Sequence, residues 1–494
     1  MHSSNRRDFL KTVAGTSAAL AAAPWARAAA AKRSNILFIL TDQWRGSATG
    51  YAGDPNVKTP NLDRMAKEAL NFCNAVSVCA VCTPARAALM TGRFPTSTGM
   101  FLNDAYLPDD ELCIAEIFQQ AGYATGYIGK WHLDGQGRED FTPRSRRQGW
   151  DYWKAVECCH DYNHSVYYAN DDPQQRVWDG YDAYAQTKDA QQYLAEHSSG
   201  EKPFVLMVSY GTPHFPHQTA PEELKQMYLP KEIKLPPNVP ASMRSAAAKE
   251  AQGYYAHCTA LDRCVGDLFQ TVEKTGLDEN TIVVFTSDHG ESLGGHGVIP
   301  TRKHLPFDET ARVPFLIRIP NQAGAGTTVR MPLTTPDILP TLLGLSGIPV
   351  PSTVEGEDLS AAVCNPAAAT DRAALYEAVA PFGLFGPRTK ELKKEYRAIR
   401  TEQYTYVRNL NGPWMLFDDV NDSYQLSNLV NDPKFVALRK ELDGKLQAEL
   451  DRLNDPFLDR QYYIDLWGYQ VPNGRSIPFE SGAAMQSPHR KDSL

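Results

Sequence analysis

The chain has 494 residues, is 42% hydrophobic and 22% charged, and carries a formal net charge of −8. This composition describes a soluble globular chain long enough for one large domain and a smaller one. Mild acidity excludes nucleic acid as the main partner, and without an apolar run of about 18 residues the chain is not expected to be an integral membrane protein. In chain order, the first feature is Asn5-Arg6-Arg7-Asp8-Phe9-Leu10-Lys11, followed by an Ala-rich stretch and a small-x-small site at Ala26-Arg27-Ala28. The paired arginines in this context look like a signal for the twin-arginine translocon. Residues 1–31 are therefore set aside as a removable leader, with a periplasmic or otherwise exported destination.

Beyond the leader, short apolar runs rich in β-branched residues alternate with helical stretches. Residues 36–40, 123–128, 204–208, 282–285 and 313–319 read as strands, and 61–71 and 112–121 as intervening helices. Continuous apolar runs of this kind belong to mostly parallel sheets covered by helices on both faces. The segment 337–345 reads as a helix closing a large domain over residues 32–370. The runs 396–400, 404–407 and 415–417 predict a small antiparallel sheet, with a helix over 435–453. Residues 371–494 thus form a smaller C-terminal α+β subdomain and a tail of low periodicity.

Chemistry-bearing residues follow the strands. Thr41-Asp42-Gln43 closes the first, Gly129-Lys130-Trp131-His132 the second, Ser209 to His214 the third, and Thr286-Ser287-Asp288-His289-Gly290 the fourth. Ligands of open α/β sheets gather outside the carboxyl ends of strands, so these groups are expected in one cleft. Two carboxylates, an amide oxygen and an imidazole suit a divalent cation; cationic side chains suit an anion. Cys82 stands where a helix begins, with Thr83 as the expected N-cap, Pro84 at the first helical position and Gly92 as the stop. Free amide N–H groups there favour an anion; the plain alternative is a buried structural thiol. Of nine cysteines, Cys79 and Cys82 make one isolated CxxC, and spacing does not define any disulfide connectivity.

Cys82-Thr83-Pro84-Ala85-Arg86, continued by Thr91-Gly92-Arg93, looks like the type I sulfatase signature. Gly122 to Thr125 and Gly129 to Leu133 resemble its second signature, and Asp288-His289-Gly290, Lys303 and Arg312-Val313-Pro314 extend the match. On these motifs the chain is identified as a member of the formylglycine-dependent sulfatases, within the alkaline-phosphatase-like superfamily. The resemblance implies that a formylglycine-generating maturation enzyme oxidises Cys82 to 3-oxoalanine (formylglycine), which hydrates to a geminal diol. One diol oxygen attacks the sulfur of a sulfate ester, and the second hydroxyl then loses its proton to expel sulfate. Asp42, Gln43, Asp288 and His289, with residue 82, are implied as metal ligands. Arg86 orients the diol, Lys130 and Lys303 hold sulfate oxygens, His132 deprotonates the second hydroxyl and His214 protonates the leaving oxygen.

Two departures bear on the metal. Many members carry Asp-Asp where this chain has Asp42-Gln43, and Asp-Asn where it has Asp288-His289; the pairs found here also occur in related phosphonate monoester hydrolases and in some sulfatases. An oxygen-rich site favours Ca2+, while the imidazole moves the preference towards Mn2+, with Mg2+ a further alternative. The aromatic stretch 134–184 suits a sulfated carbohydrate, with Arg144, Arg147, Trp153, His160 and Asn163 as candidate substrate contacts. The alternative is that its aromatics are core and its arginines face water. Two competing functions share the motifs: a phosphonate or phosphate diester hydrolase with the same nucleophile, and a non-catalytic sulfated-glycan-binding protein if Cys82 is unmodified.

Overall fold

Eight consecutive buried residues, Asn35–Asp42, form β1 at the centre of the main sheet. The computed structural model describes residues 33–200, 202–382, 389–471, 477–478 and 485–489; the expected leader lies outside them. The other strands are β2 (Leu70–Phe72), β3 (Ala75–Val76), β4 (Ala124–Lys130), β5 (Tyr152–Val156), β6 (Val166–Ala169), β7 (Asp172–Val177), β8 (Phe204–Pro213), β9 (Thr281–Ser287), β10 (Phe315–Arg318), β11 (Thr328–Val329) and β12 (Leu333–Thr334). Ten of them make one sheet in the order β11-β2-β10-β9-β1-β8-β4-β5-β6-β7, while β3 pairs with β12. The central five, β9 to β5, are parallel; β10 runs antiparallel to β9, and β6 and β7 antiparallel beyond β5.

Alternation along β1 explains why it is buried on both faces. Ile36, Phe38 and Leu40 join a core with Leu89 and Met90 of the helix Cys82–Thr91 and Leu339 and Leu342 of the helix Ile338–Leu345. Leu37 and Ile39 point the other way, onto Leu62 and Met65 of Pro60–Glu68 and Leu261 and Val265 of the long helix Arg244–Lys274. The result is the expected α/β architecture: a large mixed, mostly parallel sheet sandwiched by helices.

The C-terminal strands β13 (Ala374–Ala378), β14 (Tyr396–Arg400), β15 (Tyr404–Asn409) and β16 (Gly412–Asp418) form a four-stranded antiparallel sheet. Leu442, Leu446 and Leu450, spaced four apart on the helix Val436–Arg452, cover Ile399, Tyr406 and Leu416 of that sheet. Val78, Val81 and Ala88 belong to the same apolar cluster. The small sheet therefore buttresses the segment that leads into Cys82.

Two local expectations are corrected. The helix expected over 61–71 stops at Glu68, because Leu70–Phe72 pairs with β10 and β11. The helix at Cys82 begins at Cys82 itself, with Val81 as the extended N-cap residue. Thr83 is freed from capping: its hydroxyl donates to the His132 carbonyl (3.1 Å) and accepts from the Asp104 N–H (3.1 Å). Gly92 ends that helix at φ 68°, as expected. A further short helix, Arg460–Leu466, follows, because the Asp459 carboxylate caps the Gln461 and Tyr462 N–H groups.

Candidate active site

Parallel register brings the strand ends together. Asp42 pairs with Pro213, Thr41 with Ser287 and Gly129 with Ser209, so Asp42, Lys130, His214 and Asp288 emerge at one edge. Gly129 is required there: at φ 107°, an added Cβ would lie 2.1 Å from the Ser209 carbonyl oxygen. The helix Cys82–Thr91 aims its N-terminus at the same edge.

Arg86, one turn beyond Cys82 and fully buried, ties the centre together. Its Nε donates to Asp288 Oδ2 (3.0 Å), Nη2 to Asp42 Oδ2 (3.3 Å), and Nη1 to the Lys130 carbonyl (2.9 Å) and Ser209 Oγ (2.8 Å). Lys130 Nζ takes Asp42 Oδ2 at 2.6 Å. The outer carboxylate oxygens are thus engaged, and Oδ1 of Asp42 and Oδ1 of Asp288 face His289 Nε2, each at 3.6 Å. His289 Nδ1 lies 3.0 Å from the Gly290 carbonyl, a pure acceptor, so that nitrogen carries the proton and Nε2 presents a lone pair. Cys82 Sγ stands 3.7 Å from Asp42 Oδ1, 3.3 Å from His289 Nε2 and 3.2 Å from Lys303 Nζ.

One atom from each of Asp42, Cys82, Asp288 and His289 lies within 4.8 Å of the others. Gln43 completes the set. Its Nε2 donates to the Glu291 carboxylate, which turns Oε1 inward, 3.1 Å from Lys303 Nζ. Two carboxylate oxygens, an amide oxygen and an imidazole nitrogen, all buried, fit a divalent cation of hard or borderline character.

Electrostatics support that fit. Burial and Cys82 oppose the charge on Asp42, yet Lys130, His214 and Arg86 hold its carboxyl down at about 2. Burial and the neighbouring Asp42 push Asp288 the other way, the signature of two carboxylates sharing one place. Burial alone would raise the Cys82 thiol, but Lys130, Lys303 and His289 bring it well below its ordinary value. The position of residue 82 therefore favours an anion. Burial and Lys303 depress His214 to about 3. His132 rises against burial, drawn up by Cys158 and by its 2.9 Å contact with Asp104.

A cavity of about 590 Å³, counting the space at its mouth, opens over Cys82, Lys130, His132, His214 and Lys303. The substrate contacts expected from residues 134–184 divide. His160 lines the cavity, stacked on His214 at 4.7 Å. The other four do not. Arg144 is exposed and paired with Asp151 and Asp171, whereas Arg147 is buried on Asp171 and the Thr142 carbonyl. Trp153 is fully buried against Tyr127 and Trp131, because its register opposite Tyr127 turns it into the core. Asn163 donates to the Thr219 carbonyl.

Several residues enter the site without a signal in the sequence. Glu291 holds Gln43, Asp104 holds His132 and Arg138, and Cys158 lies 3.3 Å from His160. Gln43, His132, Thr301 and His304 all have φ between 62° and 76°. Strained backbone in non-glycine residues concentrates at functional centres.

A nucleophile position at a helix N-terminus, beside a buried divalent-cation cage and two lysines, on the carboxyl edge of a parallel sheet, defines a metal-assisted ester hydrolase. Residues 34–348 match the sulfatase family model, and 294–452 that of the N-sulphoglucosamine sulphohydrolase C-terminal region. An ulvan-active sulfatase of Formosa agariphila is 53% identical over 449 residues, covering 90% of this chain and 87% of that protein. An endo-4-O-sulfatase of Bacteroides thetaiotaomicron is 30% identical, covering 90% and 97%. The crystal structure of a putative sulfatase from Bacteroides fragilis superposes with a TM-score of 0.78 at 29% identity, covering 87% of this chain and 98% of that one. The chain belongs to the sulfatase family and is a sulfuric ester hydrolase, whose family chemistry calls for a metal and a formylglycine.

Proposed function

We propose that this sulfatase removes sulfate from sulfated carbohydrates, with formylglycine at position 82 and calcium as its ion. The observation that carries the reading is the position of residue 82, within 3.7 Å of Asp42, His289 and Lys303 on the floor of one cavity. The ulvan-active sulfatase at 53% identity supports a polysaccharide substrate. A bound divalent cation would lower the pKa of a hydroxyl on residue 82 and offset charge on the sulfate.

The chain's own groups do the rest. Lys130 and Lys303 hold sulfate oxygens, and Arg86 fixes Asp42 and Asp288 in one geometry. His132, oriented by Asp104, takes the proton of the second hydroxyl. His214 donates Nδ1–H to the Phe215 carbonyl (2.7 Å), which turns Nε2 towards Lys303 (3.0 Å) and the leaving oxygen. A maturation enzyme would act before folding, and the twin-arginine leader would then export the folded enzyme to the periplasm.

The test pairs two measurements on protein made with a maturation enzyme. Mass spectrometry of the peptide containing residue 82 should show conversion of the thiol, and ulvan oligosaccharides should release sulfate faster than matched phosphonate monoesters are cleaved. Faster phosphonate cleavage would make it a phosphonate hydrolase; an unconverted thiol with glycan binding alone would make it a lectin-like protein.

A further inference from the structure

We propose that Thr83, the second residue of the signature Cys82 to Arg86, is a positioning residue whose hydroxyl sets the His132–Asp104 pair beside residue 82. This rests on the proposed role of His132 as a base and names what holds that base in place. Two observations lead to it.

The first is where the Thr83 hydroxyl stands. Three segments meet at this residue: the start of the helix Cys82–Thr91, the loop at Asn103-Asp104 and the segment after β4 that carries His132. Thr83 is fully buried. Its Oγ1 accepts the Asp104 N–H and donates to the His132 carbonyl, each at 3.1 Å. A hydroxyl can do both at one atom, which no apolar side chain of the same shape can. The Thr83 N–H, one of the donors that a helix start leaves open, goes to Asn103 Oδ1 (3.1 Å). Asp104 and His132 lie 28 residues apart in the chain, and a single oxygen fixes the spacing of their backbones.

The second is what those two residues are. Asp104 and His132 both have φ of 62°, a left-handed conformation that a non-glycine residue keeps only where its surroundings enforce it. Their side chains meet, with His132 Nε2 2.9 Å from Asp104 Oδ1. A carboxylate only accepts, so Nε2 carries the proton of the neutral ring and the lone pair falls on Nδ1. Nδ1 is buried without a hydrogen-bond partner among the described residues, and His132 lines the cavity together with Cys82. That nitrogen is the one left to take a proton from a group on residue 82. Arg138 grips both Asp104 carboxylate oxygens at 3.1 Å and so fixes the side chain, while Thr83 fixes the backbone. Loss of the hydroxyl would leave a buried N–H and a buried carbonyl unmatched at two strained residues, and the pair would shift away from the nucleophile.

The experiment compares wild type with Thr83→Val, which keeps the shape and removes the hydroxyl, and with Thr83→Ser, which returns it. Thr83→Ala is a second hydroxyl-free variant should Thr83→Val fail to fold, and His132→Asn is the reference for a lost base. Turnover is scaled to the converted fraction of residue 82, read by mass spectrometry of its peptide, because the signature also guides maturation. Thr83→Val should lower kcat about ten- to hundredfold with little change in KM, and Thr83→Ser should restore most of it. Proton NMR of the unconverted protein, which keeps Cys82, reads the geometry without turnover. Wild type should show a far-downfield imidazole proton from the His132–Asp104 bond, absent in His132→Asn. Thr83→Val should lose or shift that signal, and Thr83→Ser should keep it. A signal unmoved in the hydroxyl-free variants refutes the positioning role. So does a loss of kcat that Thr83→Ser does not restore, or a kcat untouched by Thr83→Val where His132→Asn abolishes it. If His132→Asn keeps full kcat while the signal still depends on Thr83, the clamp stands and the base assignment falls.

Discussion

Glu291 is the residue whose replacement tests the cation cage most directly. It is fully buried, and its Oε1 accepts the Leu293 N–H (2.9 Å), the Thr301 N–H (2.9 Å) and Ser292 Oγ (3.2 Å). Its other oxygen accepts from Gln43 Nε2. One carboxylate thereby sets the inward face of Gln43 and anchors the loop that carries Lys303. In Glu291→Gln the amide has one acceptor oxygen where two are needed. If that oxygen stays on the loop N–H groups, its NH2 meets the NH2 of Gln43, and Gln43 must turn its own oxygen outward. The loss is one hydrogen bond to a charged group, about 1.5–3 kcal/mol, equivalent to roughly ten- to hundredfold in divalent-ion affinity. Glu291→Ala would strand several buried donors as well and should cost ion-free stability about 3 kcal/mol or more. Equilibrium titration with calcium measures the first effect, and denaturant unfolding without the ion measures the second. Unchanged ion affinity in Glu291→Gln would refute the orienting role of Glu291 and remove Gln43 from the ligand set.

Three further outcomes are expected. Cys82→Ser, which offers one hydroxyl instead of two, should abolish multiple turnover and accumulate a sulfated Ser at position 82, read as the added mass of one sulfo group. His214 is held at about 3 in the folded chain against an ordinary 6.5, so the unfolded chain takes up its proton first and stability falls as pH drops from 6.5 towards 3. Replacing it with Gln, which still offers Lys303 an acceptor, should reduce the stability lost between pH 6.5 and 4.5 by about 2.5 kcal/mol, seen as a flatter Tm profile. Trp153→Ala should cost about 3–5 kcal/mol of unfolding free energy in denaturant titration, as a core truncation does. A variant of normal stability with altered substrate preference would return Trp153 to the cavity.

The strands and the groups at their ends were legible along the chain because both are local. An uninterrupted apolar run encodes a strand buried on two faces, and the first polar residues after it must lie at its carboxyl edge. Asp42, Lys130, His214 and Asp288 meet there because β1, β4, β8 and β9 are parallel neighbours. The cavity wall was not legible in the same way. Arg144, Arg147 and Trp153 have the composition of a sugar site, yet the pairing of β5 with β4 turns Trp153 inward, and Asp171 engages both arginines. Glu291 carries no motif of its own. Its role follows from which side chains lie across from it, and that depends on register, helix entry and a loop fixed by contacts 200 or more residues away in sequence. The sequence by itself determined the α/β sheet and the reactive groups at its edge, since spacing along a strand is a covalent matter. Only the tertiary structure decided which side chains orient those groups and which face the substrate, since side-chain direction is settled by packing between segments distant in the chain.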